Sequence, residues 1–347
     1  MEIYMKQFQN TLFITSEDVY LALDGENVVA KRNDEIIKRY PLHTIQDIVT
    51  FSYSGASPAL MGKCCENGIG MSFCSPRGKF LARVNGENNG NVLLRRQQYR
   101  IADDDTSSCR IARNMIFGKL YNSAHSIGRT CRDHAMRINE AEMRNAEEII
   151  KGLYDQVREC TDTETLRGLE GVGASAYFGV LDQMILNQKD DFSFAQRNRR
   201  PPLDPVNAML SFAYSLLTNA CASALESVGL DAYVGFMHKD RPGRSSLALD
   251  LMEELRPCFA DRFVLTLINN RVVSQKDFIR QPSGAVLMTE TARREFLQRW
   301  QEKKKDTITH PYLNEKLTWG MVPYAQALLL SRHLRGDTDE YPPFLWK

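Results

Sequence analysis

The sequence predicts an α+β fold, with a small N-terminal β-rich domain followed by a larger, mainly α-helical domain. Three observations predict it. Short β-prone runs bounded by turn residues fill positions 1 to about 85. An NGENNGN run at 85–91 then interrupts the pattern, six of its seven residues being Asn or Gly. Beyond it, apolar residues recur at helical spacing. The chain has 347 residues, and at about 150 residues per domain that length favours two domains, expected at 1–88 and 89–347.

The elements follow in order. Thr11-Leu12-Phe13-Ile14-Thr15 is a short strand. Runs 19–23 and 27–30 flank Asp24-Gly25, a dipeptide that suits a tight hairpin turn because glycine takes positive φ. Ile36-Ile37 and Ile48-Val49-Thr50-Phe51 are the next two strands. Residues 58–66 read as a helix, with Ser57 as N-cap and Gly68 past its end. Runs 70–74 and 79–84 are further strands, joined by Ser75-Pro76-Arg77-Gly78. After the Asn/Gly run, Leu93, Arg96, Gln97 and Arg100 share one helical face, as do Ile111, Met115, Gly118 and Lys119. Residues 140–157 form one charged amphipathic helix. Residues 209–225 are almost uniformly apolar or small, which suits a helix buried on all sides. Asn219 within it and Glu226 after it make a poor membrane span, and no transmembrane helix is expected.

The totals of 44 Lys+Arg and 43 Asp+Glu exclude a uniformly basic, histone-like chain, and 43% hydrophobic content excludes a disordered one. Charge is unevenly placed. Residues 91–137 hold nine basic and four acidic side chains, and Arg95, Arg96, Arg100, Arg110, Arg113, Arg129, Arg132 and Arg137 make up eight of the nine. The planar guanidinium suits phosphate, although a solvated helix face has the same composition. The eight cysteines contain no C-x-x-C pair, which disfavours a zinc site. With no basic-then-apolar leader at the N-terminus, they read as reduced thiols of a cytoplasmic protein.

Three segments carry chemistry. In the run 169–178, Glu170 stands alone among small residues leading into a helix, where it serves either as a capping carboxylate or as a site acid. The run 196–207 places Arg197, Arg199 and Arg200 in a Pro-rich loop before Asp204-Pro205, which opens the apolar helix. These arginines suit phosphate contact, or simply solvate the connector. The third, 235–257, is the most informative. Pro242-Gly243 makes a turn, Ser245 or Ser246 caps a helix, and Pro257 is expected to stop it. Asp250, Glu253 and Glu254 project within about 100° of one another on that helix, and Leu247, Leu251 and Leu255 form its buried stripe. Adjacent carboxylates need a compensating cation. One imidazole, His238, with oxygen ligands in the majority suits Mg2+ or Mn2+ better than zinc. Lys239, Arg241 and Arg244 flank it, where a phosphate meets the ion. An acidic surface helix beside an ordinary histidine is the competing reading.

At these residues the chain resembles the CRISPR-associated protein one family, the catalytic integrase subunit of spacer acquisition. Four blocks carry the match in order: Leu169-Glu170-Gly171; Arg200-Pro201-Pro202 through Asp204-Pro205-Val206-Asn207 to Tyr214; Gly235 to His238; and SLALDLMEELRP at 246–257. The compact length and the C-terminal YPPFLW at 341–346 look like the subtype I-C branch. The resemblance implies a helical catalytic domain whose Mg2+ or Mn2+ is held by Glu170, His238 and a further carboxylate. Glu253 is favoured for that place, and Asp250 is a neighbouring catalytic acid. It implies joining of 3′-OH ends of double-stranded spacer DNA to a CRISPR repeat by transesterification, with endonuclease activity when water attacks instead. It further implies a homodimer built through the β-rich domain and bridged by a small ferredoxin-like second adaptation protein. Arg95, Arg96, Arg197, Arg199, Arg200, Lys239 and Arg244 are then the expected DNA contacts. A stand-alone structure-selective nuclease, or a DNA-binding scaffold with a degenerate site, are the alternatives.

Overall fold

The computed structural model describes residues 11–14, 16, 18–45, 47–75, 80–84, 86 and 92–347. Of the expected features, Thr15, the turn residues 76–78, and the Asn/Gly run apart from Gly86 lie outside the described residues. The chain divides into two compact units: Met1–Asn89 with Phe296–Asp306, and Gly90–Glu295 with Thr307–Lys347. The return of 296–306 to the first unit has no counterpart in the sequence pattern.

In the first unit, β1 (Thr11–Ile14), β2 (Tyr20–Asp24), β3 (Asn27–Arg32), β4 (Glu35–Pro41) and β5 (Asp47–Thr50) precede α1 (Pro58–Glu66), then β6 (Gly70–Cys74) and β7 (Phe80–Val84) follow. Asp24 pairs with Asn27, so the hairpin loop is Gly25-Glu26, one residue later than the expected dipeptide, with Gly25 at φ 57°. β2, β3 and β4 form an antiparallel sheet. The second sheet runs β1-β5-β6-β7, parallel except for β7. Parallel neighbours need a crossover, and α1 supplies it between β5 and β6. Ser57 caps α1 by accepting the Leu60 amide, as the sequence predicts. Both sheets and α1 bury one core around Leu21, Val28, Ile48, Leu60 and Met71. On the edge strand β4, Ile36 and Ile37 are exposed.

The second unit is helical. It contains α2 (Val92–Ala102), α3 (Asp105–His134), α4 (Glu140–Lys151), α5 (Tyr154–Glu159), α6 (Thr163–Gly179), α7 (Pro205–Ser227), α8 (Ser246–Glu253) and α9 (Arg262–Asn269). Small hairpins β8 (Phe278–Arg280) with β9 (Val286–Met288) and β10 (Thr307–Thr309) with β11 (Lys316–Thr318) follow, and α11 (Val322–Arg335) is the last helix. α10 (Glu290–Lys305) begins in this unit and ends in the first.

Four local expectations are corrected. The helix expected at 140–157 is two, because the chain turns at Gly152 to bury Leu153. On α2 the buried side chains are Leu94 and Gln98, and Leu93 is exposed; Gln98 bonds the carbonyls of Asp231 and Val234. Glu170 is not at a helix start. It lies inside α6, whose N-cap is Asp162, and Gly173, one turn on, lets the helix approach α3: a Cβ there would collide with Leu120. Pro257 does not stop the chain's helical course, because the backbone widens into a π-type turn at Arg256–Asp261 that has Pro257 in its first turn, where no N–H is needed.

The apolar helix stands as expected. Asp204 accepts the Asn207 amide as N-cap, Pro205 begins α7, and most of it is buried against α8, α11 and the π-type turn. α7 is long and apolar enough to cross a membrane by length and composition, and 67% of its most apolar window is buried inside this unit.

Candidate active site

The site assembles where α3, α6 and α8 meet, all in the second unit. The loop before α8 is shaped by one carboxylate. Asp250 accepts the backbone amides of Phe236 (2.6 Å), Met237 (3.0 Å) and His238 (3.0 Å), and its Oδ1 lies 2.5 Å from His238 Nδ1. Gly235 is required at the bend, since a Cβ there would lie 2.8 Å from Asp250 Oδ2 and 2.8 Å from the His238 carbonyl oxygen. Arg167, one turn before Glu170 on α6, holds the Met237 carbonyl at 2.8 Å. The imidazole is therefore clamped through Nδ1, and Nε2 makes no hydrogen bond among the described residues. A carboxylate on one ring nitrogen fixes the tautomer that presents the other as a ligand.

Glu170 and Glu253 face each other across a cation of the chain itself. Lys119 on α3 bonds Glu170 Oε1 and lies 2.7 Å from Glu253 Oε2, with 7% of its side chain exposed. Arg256 Nη1 approaches the other side of Glu253 at 2.7 and 3.0 Å. Burial works to raise the Glu253 pKa, but Arg256, Lys119 and the nearby His238 outweigh it and hold the carboxyl well below the usual range. Arg256 is itself buried and stacks on Tyr214, 4.2 Å from the ring centroid. The pair with Glu253 drives its pKa up against burial.

The three acids of α8 thus do not share one compensating ion. Asp250 serves the His238 loop and Glu253 meets Lys119 and Arg256. Glu254 points away, bonded to Tyr341 Oη, the Phe344 amide (2.7 Å) and Gln326 Nε2 (2.9 Å). All three are at least 95% buried, so the surface-helix reading fails. Lys119 and Arg256 are the residues that sequence reasoning missed. The signal for Lys119 was a lone ammonium among the buried apolar positions Ile116, Leu120 and Ile127. For Arg256 it was an arginine three residues after Glu253.

Among the described residues no preformed cage of three His, Cys, Asp or Glu ligands exists. The donor set nevertheless fits a divalent ion. Two carboxylates already share one buried cation, Lys119, and the free Nε2 of His238 lies near Glu253. Asp250 is committed to three amides and the imidazole.

Beside this centre lies a cluster of like charge. Arg244 is half-buried, and burial together with Arg241, Arg167 and Arg199 lowers its pKa, with Asp250 opposing. Lys239, Arg199 and Arg200 are exposed. Arg197 is engaged internally. It bonds the Asn198 carbonyl (2.5 Å), Asn207 Oδ1 (2.6 Å) and Ser211 Oγ (3.0 Å) and stacks on Tyr214. Arg95 is half-buried and bonds the Gly229 carbonyl, while Arg96 is exposed. The basic excess of 91–137 is only partly surface charge, because Arg113 pairs with Glu340, Arg129 and Arg132 with Asp133, and Lys119 with the two site acids.

The sequence matches the family described as CRISPR associated protein Cas1 over residues 12–302. A CRISPR-associated endonuclease Cas1 2 from Rhodospirillum rubrum is 48% identical, covering 99% of this chain and all of that one. The chain belongs to the Cas1 family. Among solved structures, a casposase bound to integration product matches this Cas1-family chain at TM-score 0.80 and 23% identity, over 97% of this chain and 93% of that one. A Cas6-RT-Cas1–Cas2 complex matches at TM-score 0.80 and 21% identity, over 99% of this chain and 36% of that one. These likenesses establish the Cas1 fold, a strand-rich N-terminal region followed by a helical domain.

Proposed function

We propose that this chain is a metal-dependent DNA integrase and endonuclease of CRISPR adaptation, joining 3′-OH ends of spacer DNA to a CRISPR repeat strand. The observation that carries the reading is the His238 ring, clamped by Asp250 and open at Nε2, beside paired carboxylates and a cluster of arginines. In transesterification the 3′ oxygen attacks the repeat phosphorus. One P–O bond forms, another breaks, and the repeat strand leaves with its own 3′-OH. Water attacking the same phosphorus gives cleavage instead. Glu170, Glu253 and His238 would hold Mg2+ or Mn2+, with Asp250 setting the imidazole. A bound divalent ion lowers the pKa of the attacking hydroxyl and offsets charge on the phosphoryl oxygens. Arg244 and Lys239 stabilise the crowded phosphorus electrostatically. Lys239, Arg199, Arg200 and Arg96 contact DNA backbone, which positions the duplex without reading bases.

The homodimer uses the β-rich unit, where exposed Ile36 and Ile37 on an edge strand offer apolar surface. A Cas1–Cas2 assembly among the solved neighbours supports a small second adaptation protein as partner, which we take to be ferredoxin-like. The unpaired cysteines suit the cytoplasm, and YPPFLW is our reason for the I-C branch.

The test is strand joining into a supercoiled repeat plasmid, with and without the partner. Glu170→Ala, His238→Ala and Glu253→Ala are each expected to abolish joining while DNA affinity stays within a few-fold. EDTA is expected to stop the reaction and Mg2+ or Mn2+ to restore it. Full activity in any of the three variants overturns the site. Cleavage without joining in every condition favours a stand-alone nuclease.

A further inference from the structure

A cavity of mixed polar and apolar lining lies in the helical unit, apart from the carboxylate centre. It holds about 250 Å³ and is lined by Ser126, Arg129, Arg262 and Trp346 and by one carboxylate, Asp133, which Arg129 and Arg132 already pair, with others. Its volume falls just below the roughly 300–1,000 Å³ typical of small-molecule sites, so its ligand is small. Two guanidiniums approach the same indole: Arg262 at 4.5 Å and Arg129 at 5.5 Å from the Trp346 ring centroid. Arg129 has an acid, Asp133, at 3.3 Å. Arg262 has no ion pair among the described residues, although it is half-buried. Burial and the neighbouring Arg129 both lower its pKa, against weaker help from Cys258 and Asp133. Ser126, 7% exposed, also lines the cavity, and its Oγ has no hydrogen-bond partner among the described residues.

An unmatched guanidinium, a second one beside it and an orphaned hydroxyl are the groups that hold a phosphate. We propose that this cavity is a phosphate-binding site, with Arg262 as its principal ligand, Arg129 on the rim and Ser126 donating from the wall. The phosphate is either a phosphodiester of a single strand or a free phosphomonoester. The cavity uses none of the residues assigned to joining or cleavage, so the site stands or falls separately from the proposed catalytic function.

The test measures binding of inorganic phosphate by calorimetry, and of a labelled single-stranded oligonucleotide by anisotropy over a salt series. Native chain, Arg262→Gln and Arg129→Gln are compared. Arg129 is exposed enough that its variant keeps the fold, and thermal melts check Arg262→Gln. Arg262→Gln is expected to weaken binding at least tenfold and Arg129→Gln several-fold. If the ligand is a strand, the slope of log K against log salt falls by about 0.7 for the one lost contact, and inorganic phosphate binds weakly. If it is a free phosphomonoester, inorganic phosphate binding is lost and the oligonucleotide is unaffected. Metal-dependent cleavage of duplex DNA is expected to persist in both variants. Native affinity for both probes and an unchanged salt slope in both variants overturn the proposal.

Discussion

Lys119 changes how the site's charge is understood. The clustered acids of α8 called for a cation, and the sequence pointed to a divalent ion; the structure puts an ammonium between Glu170 and Glu253. Removing one partner of a buried ion pair costs about 3–5 kcal/mol, because the remaining charge is left buried. Lys119→Met is therefore expected to lower the melting temperature of the metal-free chain by several degrees. Mg2+ or Mn2+ should then raise it by more than in the native chain, having no ammonium to displace. Thermal melts with EDTA and with metal check this, and an equal metal response in both proteins refutes displacement. Gly235 is the second single-residue lever. Its Cβ would meet two backbone atoms, the His238 carbonyl oxygen and the Ser246 carbonyl carbon at 2.9 Å, as well as Asp250. Backbone cannot step aside as a side-chain tip can. Gly235→Ala is expected to cost about 2 kcal/mol or more in urea unfolding and to cut strand joining by pulling the imidazole off Asp250. The sequence singled out Glu170, His238, Asp250 and Glu253 as candidates. It did not single out their cations, because Lys119 is 51 positions before Glu170 and only tertiary packing brings them together.

At the scale of elements, some helix starts made by a local side chain were legible, while the Asp162 cap of α6 was not. Ser57 on α1 and Asp204-Pro205 on α7 were legible, each acting within three residues. The interior of α6 was not, since Gly173 serves the approach to α3 and not a turn. Pro257 misled for a related reason: burial of the π-type turn overrides the local preference to end a helix. That turn ends at Asp261, which is 1% exposed and accepts a hydrogen bond from Tyr214 at 2.5 Å. Burial pushes its carboxyl from 3.8 up to about 6, despite Arg256 and Tyr214. A folded-state pKa above the unfolded one gives stability that is complete below the unfolded value and is lost as pH rises through the folded value. The window is pH 4 to 6. Asp261→Asn removes this titration. The native chain is expected to lose stability relative to Asp261→Asn between about pH 4 and 6 and no more above that, measured by urea unfolding. Parallel pH profiles for the two proteins contradict the assignment.

Over the whole molecule, the division into a β-rich and a helical part was legible because the period of the hydrophobic pattern changes once along the chain. What closes the helical unit was not. The segment 341–347 served in the sequence only as a mark of resemblance, yet it reaches the polar interior. Tyr341 and Phe344 are at most 1% exposed. Tyr341 Oη and the Phe344 amide bond Glu254, whose carboxyl burial raises to about 7. The Phe344 carbonyl and the Trp346 amide bond Asn122 on α3 at 2.8 Å each, and Gln326 on α11 donates to Tyr341 Oη at 2.6 Å. One short strap thus ties α3, the end of α8 and α11 together through Asn122, Glu254 and Gln326. Deleting residues 341–347 orphans groups on Glu254, Asn122 and Gln326, at about 1–3 kcal/mol for each buried polar group. It also opens the spaces of Tyr341 and Phe344, at about 3–5 kcal/mol for a large aromatic. Those losses together match the whole stability of an ordinary domain, about 5–15 kcal/mol. The deletion is expected to abolish the cooperative thermal transition of the helical unit. Tyr341→Phe, which removes one hydroxyl, is expected to cost about 1–2 kcal/mol and to keep that transition. A deletion variant melting within two or three degrees of the native chain would show that the strap follows the fold without holding it.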